Sequence, residues 1–131
     1  MPQLANVVIN DGASTPVAHT YTPMDIVGNV ARLVESNGVP VGNNVLTTSL
    51  TKTAAGRWKP VLKLQLPIVQ TQTINGVSTP VVVRTAFANV EMSFDGTSTA
   101  QERKDAIALL TNALLNAAVI KPVFADLQAI Y

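Results

Sequence analysis

Residues Leu46 to Leu66 read LTTSLTKTAAGRWKPVLKLQL, and this stretch decides the fold. In its first part Leu46, Thr48 and Leu50 fall on one side of a two-residue period, with Thr47, Ser49, Thr51 and Thr53 on the other. Ala54-Ala55-Gly56 supplies a connection. From Trp58 the alternation resumes, with Leu62, Leu64 and Leu66 on one side and Lys59, Val61, Lys63 and Gln65 on the other. Two alternating runs joined by a short link predict an antiparallel pair with one apolar and one polar face.

The same grammar extends outward. Val7-Val8-Ile9 followed by Asp11-Gly12 predicts a hairpin returning over Val17 to Tyr21. Asn29 to Glu35 reads as another strand, and Asn37-Gly38 with Pro40 to Asn44 as turn or loop. Pro67 is expected to end the strand that begins at Trp58. Thr71 to Pro80, with Asn75-Gly76 inside it, fits either a tight hairpin tip or a longer exposed loop. Val81 to Phe94 is the longest strand candidate. Val83, Thr85, Phe87, Asn89 and Glu91 share one side of it; Val82, Arg84, Ala86, Ala88, Val90 and Met92 share the other.

The period then changes. Thr99-Ala100-Gln101-Glu102 fits a capping box, and Ala, Leu and Ile dominate as far as Ala118, with Ile107, Leu110 and Leu114 as a stripe. Pro122 suits the first turn of a second helix reaching Ala129. The expected class is α+β. It comprises one domain over residues 1–131, with an N-terminal β-hairpin and a five-stranded antiparallel sheet (about 1–95), then two helices (about 99–131).

Composition narrows the function. The chain has 131 residues, nine Lys or Arg, eight Asp or Glu, one His and no Cys. Without Cys there is no disulfide scaffold, thiolate nucleophile or cysteine zinc site. No nucleophile–base arrangement, Gly-rich phosphate loop or metal cluster is present, so neither an enzyme nor a cofactor is expected. The start reads as no signal peptide and no apolar run approaches a membrane span, which predicts a soluble protein. Charged residues are 13% of the chain, about half the globular norm. Low charge beside 47% hydrophobic content predicts surface buried against further copies. His19, Trp58, Arg84 and Tyr131 read as structural or packing residues.

The net charge of +1 hides an asymmetry. Between Ser36 and Val90 there is no acid, while Lys52, Arg57, Lys59, Lys63 and Arg84 fall in that interval. Paired antiparallel, the middle strands gather Thr47, Ser49, Thr51, Lys59, Val61, Lys63, Thr85, Phe87, Asn89 and Glu91 on one face. Ammonium groups for phosphates, a ring for stacking, and hydroxyls and an amide for base edges suit single-stranded or looped RNA. The same pattern also describes the wet face of any half-buried sheet. Glu91 there either repels phosphate or pairs with a lysine.

A resemblance adds to this reading. Lys63-Leu64-Gln65-Leu66-Pro67, Thr71-Gln72-Thr73-Ile74-Asn75-Gly76-Val77 and Pro80-Val81-Val82-Val83-Arg84 resemble the coat proteins of single-stranded RNA bacteriophages, the levivirus group. Val39-Pro40-Val41-Gly42-Asn43, Glu102-Arg103 and the closing Ile130-Tyr131 extend the likeness over nearly the whole chain.

The resemblance implies an interlocked homodimer with one continuous sheet, whose helices cross the partner chain. It implies an icosahedral shell of triangulation number three around genomic RNA, in a virion assembled in the bacterial host cytoplasm. One dimer would bind an RNA hairpin and repress translation of the replicase. The implied RNA-contacting positions are Val30, Thr47, Ser49, Thr51, Thr53, Lys59, Val61, Lys63, Phe87, Asn89 and Glu91. Phe87 matches a position that is commonly Tyr, Thr51 one often held by Arg, and Val61 one often held by Thr; each departure removes a polar contact. Thr71, Gln72, Thr73, Ile74, Asn75, Gly76, Val77 and Pro80 match the loop that meets its copies around the symmetry axes. A sheet-based RNA-binding regulator that forms dimers without a shell is the alternative.

Overall fold

The computed structural model describes residues 2–36 and 38–131. Met1 and Asn37 lie outside the described residues, and with Asn37 the first half of the expected Asn37-Gly38 turn. The chain divides into two compact units, one through Ser93 and one over Phe94–Tyr131.

The first unit is an antiparallel sheet in sequence order. Its strands are β1 (Val7–Asn10), β2 (Ala18–Val27), β3 (Val30–Glu35), β4 (Asn44–Lys52), β5 (Trp58–Ile74) and β6 (Val77–Glu91). β2 serves twice. Its first residues, Ala18 to Tyr21, pair with β1 as the N-terminal hairpin, and Thr22 to Val27 pair with β3 in the five-stranded sheet.

The turns follow their chemistry. Asp11-Gly12 does not make the tight turn that its sequence suggests. The Asp11 carboxylate instead accepts from the backbone N–H groups of Ala13 (3.1 Å) and Val17 (3.0 Å), closing a wider loop. Gly28 and Asn29, both at positive φ, make a two-residue turn between β2 and β3. Asn75 and Gly76 do the same between β5 and β6.

Strands β5 and β6 run further than expected. Pro67 does not end β5; it stands buried inside it, opposite Thr85. The β4 ladder stops at Val45 opposite Gln65, so beyond that point no third strand among the described residues asks for an N–H from residue 67. Thr71 to Pro80 is therefore the tight-tip alternative, a two-stranded ribbon exposed throughout. A bulge interrupts the ladder: Ile68 faces Arg84 but Val69 faces Val82, leaving Val83 as the extra residue. Nearer the tip, even-numbered β6 residues join the odd-numbered residues of β5, contrary to the uniform alternation expected from Val82 to Met92. β6 also ends at Glu91, short of Phe94.

The core of this unit is small. Tyr21, Leu33 and Leu46 are buried, with Leu4 and Leu64 packed against them. All but Leu4 lie on the apolar face, where Leu33, Leu46, Leu64 and Ala88 stand in one row. Leu50, Leu62 and Ile26 on the same face are exposed.

The second unit holds α1 (Ala100–Leu114) and α2 (Ile120–Ala125). The capping box is present: the Glu102 N–H donates to Thr99 Oγ1 at 3.2 Å, and the Thr99 N–H donates to Glu102 Oε2 at 2.8 Å. α1 stops short of Ala118 because Asn116 turns the chain, its side-chain oxygen taking the Val119 N–H at 2.9 Å. α2 starts before Pro122 and stops short of Ala129, since Leu127 is left-handed (φ 56) and the Asp126 and Gln128 N–H groups return to the Pro122 carbonyl. Neither helix contains a buried residue. Among the described residues no helix is long and apolar enough to cross a membrane.

Candidate nucleic-acid interface

The register of three ladders, joining four strands, builds one polar surface. Arg32 of β3 faces Thr47 of β4, Thr47 faces Lys63 of β5, and Lys63 faces Asn89 of β6. One step along the strands, Val30, Ser49, Val61 and Glu91 form a parallel row. Val34, Val45, Gln65 and Phe87 form another on the far side. Thr51 opposite Lys59 completes the surface near the β4–β5 turn.

Ten of the eleven residues expected to contact RNA thus share one face. The exception is Thr53, which lies beyond the end of β4. Its hydroxyl accepts the Arg57 N–H at 3.2 Å and its own N–H donates to the Arg57 carbonyl at 2.8 Å, so it holds the turn.

Phe87 is 72% exposed and offers a flat apolar ring on the polar face. Lys59 Nζ lies 3.5 Å from Glu91 Oε1, so the two side chains pair across the ladder. Lys63 has no ion pair among the described residues, so its charge stands uncompensated at the middle of the face. The Thr51 hydroxyl donates to the Lys59 carbonyl across the ladder at 3.4 Å.

Sequence reading missed Arg32 and its partner Asp25. Arg32 donates from Nε to Asp25 Oδ1 at 2.7 Å and from Nη2 to Oδ2. Hydrogen bonding to Arg32 holds the Asp25 carboxyl below its ordinary pKa, and the Arg32 guanidinium is shifted up by the same contact. The alternation Val30, Arg32, Val34 was a usable signal for Arg32. Gln65, on the face but outside the expected contacts, lies opposite Phe87.

Other charged groups of the first unit lie off this face. Lys52 and Trp58 face each other on the apolar side, the ammonium 5.3 Å from the ring centroid. Arg57 Nε donates to Ser93 Oγ at 2.8 Å. Arg84 is exposed opposite Ile68. His19 is structural: Nε2 meets Asp11 Oδ2 at 2.9 Å and Nδ1 meets the Glu35 carboxylate at 2.8 Å. Asn44 donates to Glu35 as well, at 2.8 Å. Among the described residues no group of three or more acids or histidines has a geometry that could hold a metal ion.

A family model described as levivirus coat protein matches residues 2–131. This chain belongs to the levivirus coat protein family. The capsid protein of Pseudomonas phage PRR1 is 44% identical over 130 residues, covering 98% of this chain and 99% of that one. Among solved structures, the virus-like particle of Beihai levi-like virus 21 superposes with a TM-score of 0.80 at 30% identity, covering 99% of each chain. The virus-like particle of bacteriophage ESE058 has a TM-score of 0.87 at 24% identity, over 99% of this chain and 100% of that one, a likeness of fold. The hairpin, five-stranded sheet and two C-terminal helices are therefore the levivirus coat architecture. As a coat protein the chain is a structural component of the virion.

Proposed function

We propose that this chain forms the shell of an RNA phage from dimers and binds single-stranded RNA on the polar face of its sheet. The carrying observation is the row Arg32, Thr47, Lys63, Asn89 with Phe87 beside it. It presents charge, hydroxyl, amide and an exposed ring to one ligand, the set that a looped RNA uses.

The opposite face supports the dimer. Only Tyr21, Leu33 and Leu46 are buried hydrophobics among the described residues, while Leu50, Leu62 and Ile26 are exposed. Apolar area left open on that scale is covered by another chain in a stable particle. β6 is the edge of the sheet along its full length. An unpaired edge of this kind pairs with its own symmetry mate, which would join two sheets into one. Helices α1 and α2, with no buried residue of their own, supply apolar surface for the partner.

The exposed ribbon Thr71 to Pro80 is the natural contact between dimers, and positive φ at Asn75 and Gly76 lets its tip take more than one backbone path. In this reading the dimer binds an RNA hairpin, represses replicase translation through it, and closes a shell of triangulation number three around the genome. Electron microscopy of the expressed protein, with extraction of RNA from any particles, tests it. Uniform closed shells containing RNA are expected. Discrete dimers that bind a hairpin and never close would favour a regulator instead.

A further inference from the structure

β2 contains an extra residue at Met24: Pro23 faces Leu33, yet Asp25 faces Arg32. In a regular strand Asp25 would share the apolar face with Pro23. The bulge brings it round to the polar face, where its carboxylate takes the guanidinium at two atoms, Nε and Nη2. Bulges re-aim side chains in this way next to functional sites. A carboxylate gripping a guanidinium side-on has the geometry in which an arginine receives phosphate. Nη1 makes no hydrogen bond among the described residues, and the Arg32 side chain is 43% exposed.

Arg32 ends the row that contains Lys63. The two cations stand two strand spacings apart, about 10 Å, with the Thr47 hydroxyl between them. Each cation on this face is in a different state. Lys63 has no acid, Lys59 touches Glu91 at one atom and 3.5 Å, and Arg32 is held at two.

We propose that Arg32 is a second phosphate-binding residue of the polar face and that Asp25 is its resident counter-ion, occupying the guanidinium until a phosphate of single-stranded RNA displaces it. The ligand is the ribose-phosphate backbone of a segment crossing the strands from Asn89 over Lys63 to Arg32. Asp25 acts through Arg32 and sets the threshold that RNA must exceed. This rests on the polar face being the RNA-binding face.

The test is fluorescence anisotropy of a labelled, unstructured RNA of alternating adenosine and cytidine. It is titrated with purified coat protein, kept below the concentration at which it assembles, across a salt series. Arg32→Gln is expected to weaken binding about fivefold and to lower the slope of log affinity against log salt by about 0.7, one phosphate contact on a single strand. Asp25→Asn is expected to tighten binding about threefold, and Asp25→Asn with Arg32→Gln to bind no better than Arg32→Gln alone. A purely structural pair moves stability and leaves the salt slope alone. Unchanged affinity and slope in Arg32→Gln, with Lys63→Ala weakened, overturns the proposal and leaves the RNA-binding face standing. Unchanged binding in both overturns the face itself. Should Arg32→Gln fail to fold, Asp25→Asn decides: affinity equal to that of the parent chain refutes the counter-ion role.

Discussion

Leu46 and Thr47 are neighbours in the chain and belong to different worlds. Leu46 lies in a row with Leu33, Leu64 and Ala88; Thr47 lies in a row with Arg32, Lys63 and Asn89. The rows are offset by one residue and separated by the thickness of the sheet. One contains the small core of the unit, and the other carries the uncompensated Lys63. The period of two thus gives a short chain two chemically unrelated surfaces without a domain for either; in the proposed function one meets a second protein chain and the other a polyanion.

Moving a charge by one position gives the largest expected break. Leu46→Asp puts a carboxylate into the cluster with Tyr21 and Leu33, at a cost of about 4 kcal/mol or more. It is expected to abolish soluble, foldable protein in expression and thermal denaturation assays. Thr47→Asp, one residue along, is expected to fold and form particles of normal size while RNA recovered from them falls. If both variants fold equally well, the two faces are not distinct.

Lys63→Ala comes next. It is expected to lower affinity for an RNA hairpin about tenfold and to flatten the salt dependence by one contact, with dimers intact by light scattering. Thr51→Arg sharpens the comparison from the other side. Adding a cation beside Lys59 is expected to raise RNA affinity about fivefold and steepen the salt slope, with the melting temperature unchanged. A shifted melting temperature with constant affinity would place Thr51 in the packing and not in the interface.

The smallest effect concerns the titratable cluster on the apolar side. Hydrogen bonds from the Val17 N–H, then His19, then the Ala13 N–H lower the Asp11 carboxyl to about 2. Its contribution is present above the ordinary 3.8 and fades as pH falls toward about 2. Asp11 first, then Glu35, raise the His19 imidazole above 6.5. That contribution is full below 6.5 and is lost as pH rises through the raised value. The N-terminal hairpin is therefore expected to be tightest between these limits. Amide exchange of Val7 to Asn10, corrected for intrinsic rates, measures it. His19→Gln should remove the alkaline loss and weaken the acid limb only in part, since the Val17 N–H remains the first cause of the lowered Asp11 carboxyl.

Much of the sheet was legible because alternation is a local signal. Leu46 to Leu66 announces two strands and their faces, and register then follows from the turn between them. What escaped was whatever tertiary context decides. Pro67 reads as a stop, and only the absence of a third strand beyond Gln65 lets it continue β5. Asn29 was read as the start of a strand and is the second half of a tight turn. The bulges at Met24 and Val83 leave no mark in composition, yet one of them delivers Asp25 to Arg32. The capping box was legible to the residue. The end of α1 was not, since alanines on both sides of Asn116 conceal the side-chain turn. Of the candidate interface, the expected residues of β3, β4, β5 and β6 share one surface, and Thr53 stands apart in the turn it holds.

The bulge at Val83 has a consequence for how this sequence can vary. Losing one residue from a strand ordinarily inverts everything beyond it. At Val83 the loss would instead leave a regular ladder, with Val82 still opposite Val69 and the Asn75-Gly76 tip still closing on the same partners. What would change is the coil of the ribbon, because the bulge is the source of its local bend and added twist. Pairing and direction are thus written in separate residues. An insertion or deletion at this one site can re-aim the arm toward a neighbour of different curvature while its weave is inherited intact.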